Sequence, residues 1–202
     1  NVTNFTVWFA LVFWAFIETR SVFVTGMIGG VYLVFTATFA IWFGSLVDHH
    51  YKRTVMLWSS AVSFLFYAAA LALHESVDPG TMRTIASPFL WIFIVLIMAG
   101  VLAGALRGIA LPTLVTVLVP EDRRDRANGL VGMTTGVAFL TTSVISGFLV
   151  AWGGMRYTLL FGLALTLLSF AHLLALRVEG DVIASDANPH EKKTVDPRGT
   201  LT

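Results

Sequence analysis

Between residues 2 and 176 the chain is made of about six apolar runs almost free of charge. A bilayer core about 30 Å thick needs roughly 20 helical residues for each crossing. The runs cover 2–17, 21–47, 54–73, 88–119, 129–152 and 157–176, and the fourth is interrupted only by Arg107 and Pro112. Charged residues are 12% of the chain and hydrophobic ones 56%, whereas a soluble domain carries roughly 25% charged residues. The expected fold is therefore an all-α membrane protein of six transmembrane helices over residues 1–176. Residues 177–202 are polar and aperiodic, and are expected to form a disordered cytoplasmic segment. The chain opens on Asn1 rather than Met, so the first run reads as the end of a helix that begins upstream.

Thirteen Lys and Arg face twelve Asp and Glu, a net charge of +1, which provides no basic field for nucleic acid. With no Cys there is neither a disulfide nor a thiolate metal site. Five His show no metal-ligand spacing, and no HExxH motif, GxSxG elbow or intramembrane pair of acids suggests an enzyme or calls for a cofactor. The expected partners are the lipid bilayer and a small-molecule substrate.

Lys and Arg favour the cytoplasmic side of a membrane. They are densest at Lys52 and Arg53 and at Arg123, Arg124 and Arg126, while the alternate loops carry Arg20, Arg83 and Arg156. Loops 48–53 and 120–128 and the tail are therefore expected to be cytoplasmic. Trp14, Trp91 and Trp152 fall near the outer ends of their runs and Trp42 and Trp58 near the inner ones, as in an interfacial belt.

The chain repeats itself without gaps at an offset of 103 residues. Glu18 falls on Glu121, Arg20 on Arg123, Gly26 on Gly129, Gly29 on Gly132, Thr38 on Thr141, Gly44 on Gly147 and Arg53 on Arg156. Runs one to three and four to six then form two three-helix repeats. Their equivalent ends lie on opposite sides of the membrane, which is the inverted plan of many secondary transporters. An intramembrane cation faces a cavity or a partner by default, so Arg107 is a candidate cavity residue. Snorkelling to the cytoplasmic surface is the competing reading. The repeat counterpart of Arg107 is Asn4, the second candidate. Gly100, Gly104 and Gly108 are spaced for close helix approach, and the hydroxyls of Thr134, Thr135, Thr141, Thr142, Ser143 and Ser146 for bonding to carbonyls. His172 is expected to pack in the sixth run.

Gly44-Ser45-Leu46-Val47-Asp48-His49-His50-Tyr51-Lys52-Arg53 resembles the loop between helices two and three of the major facilitator superfamily, roughly G-x-L-x-D-R-x-G-R-R/K. Gly44, Leu46, Asp48, Lys52 and Arg53 agree, and His49 and Tyr51 depart. Val119-Pro120-Glu121-Asp122-Arg123-Arg124-Asp125-Arg126-Ala127-Asn128-Gly129 is similar to the helix four to five junction of that superfamily's drug and siderophore exporter branch, and Asn1-Val2-Thr3-Asn4-Phe5 and Thr19-Arg20-Ser21 resemble its helix one and the start of its helix two. The resemblance implies the N-terminal six-helix half of a twelve-helix carrier in the inner cell membrane, with a C-terminal six-helix half as partner. It also implies a gating motif of Gly44, Asp48, Lys52 and Arg53, and alternating-access export of an amphipathic small molecule. The branch's G-P-x-x-G-G pattern falls on Thr142-Ser143-Val144-Ile145-Ser146-Gly147 and keeps only the last Gly. No acid lies inside the runs, so proton coupling would need a carboxylate from elsewhere. The alternatives are a half-size transporter acting as a homodimer and a membrane scaffold that transports nothing.

Overall fold

The computed structural model of the protein describes residues 2–175, with the side chains of Asp48, Lys52, residues 110–118 and Glu121 outside that description. The expected tail at 177–202 lies outside the described residues. The main elements are α1 (Val2–Thr19), α2 (Val22–His49), α3 (Lys52–Ser76), the single turn α4 (Pro79–Met82), α5 (Pro88–Leu118) and α6 (Arg124–Ala175), with a 3-10 turn at Glu121–Arg123. Among the described residues five helices are long and apolar enough to cross a membrane. A helix bonds all its backbone groups internally, as lipid requires.

Five helices instead of six expected runs reflect a junction that is tighter than a loop. As a straight rod, the 52 residues of α6 would extend about 78 Å, more than twice a bilayer core. The rod is broken at Gly153 (φ −149°, ψ 15°) and Gly154 (φ 62°, ψ −156°). Gly154 occupies a region that is essentially closed to residues with a Cβ. A Cβ on Gly153 would overlap the Tyr157 ring. Two glycines thus do the work expected of a polar loop. The other connections are also short. Arg20 turns between α1 and α2 at φ 52°, and Ser21 caps α2 by accepting from the Val24 N–H at 3.3 Å. Asp78 caps α4 by accepting from Gly80 N–H at 2.9 Å.

The core centres on α1 and the first half of α5 and takes in Val24 and Ile28 of α2, Tyr67 and Ala70 of α3, and Val150, Met155 and Leu159 of α6. Val7, Ala10, Leu11 and Ala15 pack with Leu90, Phe93, Ile94 and Ile97, all buried. Trp14, expected at the interface, belongs to this core: it is 3% exposed and meets Phe93 edge-on at 5.0 Å. Lipid tails are as apolar as Leu, so helices associate through close packing and hydrogen bonds rather than hydrophobic drive. Both devices are present. Gly100 accepts the Tyr67 ring and Gly162 accepts Val7. Ser59 donates to the Ala103 carbonyl at 2.6 Å, and Ser63 to that of Gly100 at 2.8 Å, fastening α3 to α5. Ser146 donates to the Thr6 carbonyl at 2.9 Å, fastening α6 to α1. Thr134, Thr142 and Ser143 bond carbonyls of their own helix, as their spacing predicts. His172, expected to pack, is exposed on α6.

Gly154→Ala puts a Cβ on a backbone that costs roughly 1–3 kcal/mol to hold. We expect it to lower the thermal unfolding midpoint in detergent by several degrees. Gly147→Ala, where a Cβ meets nothing within 4 Å, should leave that midpoint unchanged.

Candidate functional site: a guanidinium between two polar side chains

Arg107 projects from the middle of α5 into the bundle. Its Nη2 donates to Asn4 Oδ1 on α1 at 3.1 Å, and its Nη1 donates to Ser60 Oγ on α3 at 3.0 Å. Snorkelling to the surface is not what this side chain does. Asn4 is 7% exposed and Ser60 fully buried.

Both partners are oriented by their own donors. Asn4 Nδ2 donates to the Val101 carbonyl at 2.9 Å, and Ser60 Oγ donates to the Met56 carbonyl at 2.8 Å. Each side chain therefore spends a donor on backbone and presents an acceptor to the cation, which has donors only. Gly104 makes the Asn4 contact possible, because a Cβ there would overlap the Asn4 amide. Tyr67, fully buried on α3, has a hydroxyl with no hydrogen-bond partner.

Beside this cluster opens a cavity of about 360 Å³, lined by Asn4, Phe5, Trp8, Tyr32, Val101, Ala105, Gly108, Thr135 and Phe139. Asn4 forms part of its wall. Arg107 stands behind Asn4 rather than on the wall, with its neighbours Ala105 and Gly108 lining the opening. The aromatic side is ordered: Trp8 and Tyr32 are 4.1 Å apart between centroids, and Phe139 meets Phe5 edge-on at 5.4 Å. A second, apolar cavity of about 250 Å³ lies between α3 and α6, and Ser60 lines it.

The expected gating residues are placed unevenly. Gly44 sits on α2 where a Cβ would meet nothing within 4 Å. The side chains of Asp48 and Lys52 lie outside the described residues. Arg53 donates from Nε to the Leu173 carbonyl at 3.2 Å and from Nη2 to the Leu174 carbonyl at 3.1 Å. Both carbonyls lie in the last described turn of α6, so Arg53 ties the start of α3 to that segment.

At the opposite end of the bundle, Arg156 pairs with Glu75 at 3.3 Å and Arg83 with Glu18 at 2.7 Å. Its hydrogen bond to Glu18, and then the charge of that carboxylate, raise the pKa of the exposed Arg83 guanidinium above its ordinary value. Among the described residues no carboxylate forms an ion pair with Arg107.

An all-helical membrane bundle with a cavity beside a buried cation has the form of a transport protein. Residues 2–200 match the family model of the Major Facilitator Superfamily, and the chain belongs to that superfamily of membrane transporters. Comparison with curated proteins and with solved structures gives no match. Family membership agrees with a transporter rather than an enzyme, and with a multi-pass integral membrane protein.

Gly104→Ala should push Asn4 off both Val101 and Arg107. Overpacking of this kind costs about 1–3 kcal/mol, read as a lower unfolding midpoint. Gly129→Ala, in open space, is the control and should match the parent protein.

Proposed function

We propose that the chain is a six-helix half of an alternating-access exporter that moves an amphipathic small molecule through the cavity beside Asn4 and Arg107. The Asn4–Arg107 hydrogen bond carries this reading, because it joins two residues that are 103 positions apart and equivalent under the sequence repeat. Two equivalent residues touch only where the symmetry axis passes between them. In an inverted-repeat transporter that axis lies in the membrane plane, with the substrate site at the repeat interface.

Further pairs support the same symmetry. Arg53 at the start of α3 reaches the end of α6, and its counterpart Arg156, just after the α6 break, reaches Glu75 at the end of α3. Val47 and Val150 are both buried. Gly26, Gly29 and Gly44 on α2, and Gly129, Gly132 and Gly147 on α6, all face open space. With the break at Gly153–Gly154 counted as a turn, the segments number six. The cavity is bounded by α1, α2, α5 and the first part of α6, and in this reading a C-terminal six-helix half completes it. Loops 48–53 and 120–128 are then cytoplasmic, and Asp48, Lys52 and Gly44 form a gate at that face, with Arg53 tying α3 to α6 beside it.

The chain has no Cys, so single introduced cysteines report topology cleanly. In intact cells an impermeant maleimide should label Thr84→Cys and Trp152→Cys from outside, and Asn128→Cys only after permeabilisation. Labelling of Trp152→Cys and Asn128→Cys from the same side would overturn the six-segment arrangement. In vesicles carrying the full-length transporter, Arg107→Ala should reduce flux more than tenfold, and Asp48→Asn should reduce it while membrane expression persists. Unchanged flux in either variant removes that residue from its proposed role.

A further inference from the structure

Two pairs of residues on the wall of the cavity beside Asn4 are equivalent under the 103-residue repeat. Tyr32 on α2 corresponds to Thr135 on α6, and Phe5 on α1 to Gly108 on α5. Equivalent positions of two repeats border one space only where the axis relating them passes through that space. Under the repeat, the cavity then lies on the same axis that runs between Asn4 and Arg107, where an inverted-repeat carrier has its substrate site.

The first pair is also set apart by its hydroxyls. In an apolar helix a Ser or Thr hydroxyl commonly returns to a carbonyl of the preceding turn, as those of Thr36, Thr38, Thr134, Thr142 and Thr166 do. Among the described residues, the hydroxyls of Tyr32 and Thr135 have no such partner. They are not sealed in the core either. The unpartnered side-chain oxygens that are closed off are those of Tyr67 and Ser87, whereas Tyr32 and Thr135 are half-buried residues of the cavity wall. The Tyr32 ring is held against Trp8 with centroids 4.1 Å apart, which leaves the hydroxyl at its edge reachable.

We infer that Tyr32 and Thr135 are the substrate-recognition pair of this cavity, hydrogen bonding to neutral polar groups on an aromatic substrate. The inference rests on the transporter reading above and narrows its substrate to aromatic molecules bearing groups such as phenolic hydroxyls. A hydroxyl both donates and accepts, so each member of the pair serves either kind of group. Where the first repeat places Phe5 the second places Gly108, with the small Ala105 nearby, so aromatic surface and free space border the same cavity. Its volume of about 360 Å³ is at the small end of the range for ligand sites, roughly 300–1,000 Å³, and suits a two-ring molecule.

The test uses the full-length transporter in detergent at neutral pH and three probes of one shape: 2,6-dihydroxynaphthalene, 2-hydroxy-6-methylnaphthalene and 2,6-dimethylnaphthalene. Binding is read by calorimetry against protein-free micelles, with unfolding midpoints confirming that each variant is folded. A neutral hydrogen bond strengthens binding roughly twofold to tenfold. Affinity should therefore rise stepwise from no hydroxyl to two, and the dihydroxy probe should bind at least fivefold more tightly than the dimethyl one. Tyr32→Phe and Thr135→Val should each cut that ratio severalfold, and the double variant should bring it near one. Thr134→Val, which removes a hydroxyl already bonded to its own helix, should leave the ratio unchanged. A ratio near one in the parent protein, a ratio that survives the double variant, or no binding of the dihydroxy probe overturns the recognition pair.

A bulky residue in the cavity separates this outcome from failure of the transport reading. Ala105→Trp should abolish both binding and the protein-dependent flux of the dihydroxy probe into proteoliposomes. If Ala105→Trp blocks flux but the ratio is insensitive to the pair, the pair is overturned and the route through the cavity stands. If flux persists when binding is lost, the transport reading is overturned and the pair's role falls with it.

Discussion

A guanidinium inside an apolar bundle dictates its own surroundings. Arg107 cannot give up its proton and can only donate, so every polar neighbour must offer an acceptor. Asn4 and Ser60 do so, each oriented by a donor given to the Val101 or Met56 carbonyl. Gly104 follows from the same requirement, since any Cβ there would occupy the place of the Asn4 amide. Three helices, α1, α3 and α5, are thereby held to one charge near the centre of the bundle.

Lipid solvation explains the rest of the packing. Apolar surfaces gain little by leaving lipid for one another, so specificity falls to small residues and short polar side chains. Ser59 and Ser63 fasten α3 to α5 through carbonyls, and Ser146 fastens α6 to α1. These hydroxyl bonds come from α3 and the first part of α6, and the Asn4 and Arg107 bonds add crossings from α1 and α5. The α3 and α6 segments flank the α1–α5 contact where Asn4 meets Arg107. The site is part of the same stitching, because Asn4 on the cavity wall donates across to the Val101 carbonyl of α5 and accepts from Arg107.

Charge position made much of this readable in the chain. An Arg in the middle of an apolar run cannot be tolerated without partners, and the 103-residue offset singled out Asn4 as its counterpart before any contact was known. Ser60 gave no such signal: a Ser in an apolar helix has many satisfactory environments, and only the rotation of α3 against α5 turns it toward Arg107. Trp14 misled for the same reason. Its place near a run's end matches an interfacial Trp, but the tilt and rotation of α1 carry it against Phe93. Arg53 matched a gating pattern, and it donates to the Leu173 and Leu174 carbonyls of α6, a neighbour 120 residues away that local spacing cannot reveal.

The sequence by itself determined that the chain is helical, embedded in a membrane and nearly devoid of internal charge, because backbone groups in lipid must be satisfied within each helix and ionised side chains are costly there. Only the tertiary structure decided that the last two runs join across Gly153–Gly154 instead of a loop, that Arg107 stands behind Asn4 instead of on the cavity wall, and which hydroxyls reach it. Those outcomes depend on how helices rotate and approach, and in lipid that is set by the fit of side chains such as Tyr67 against Gly100 and Asn4 against Gly104, a property of facing pairs that no single helix carries.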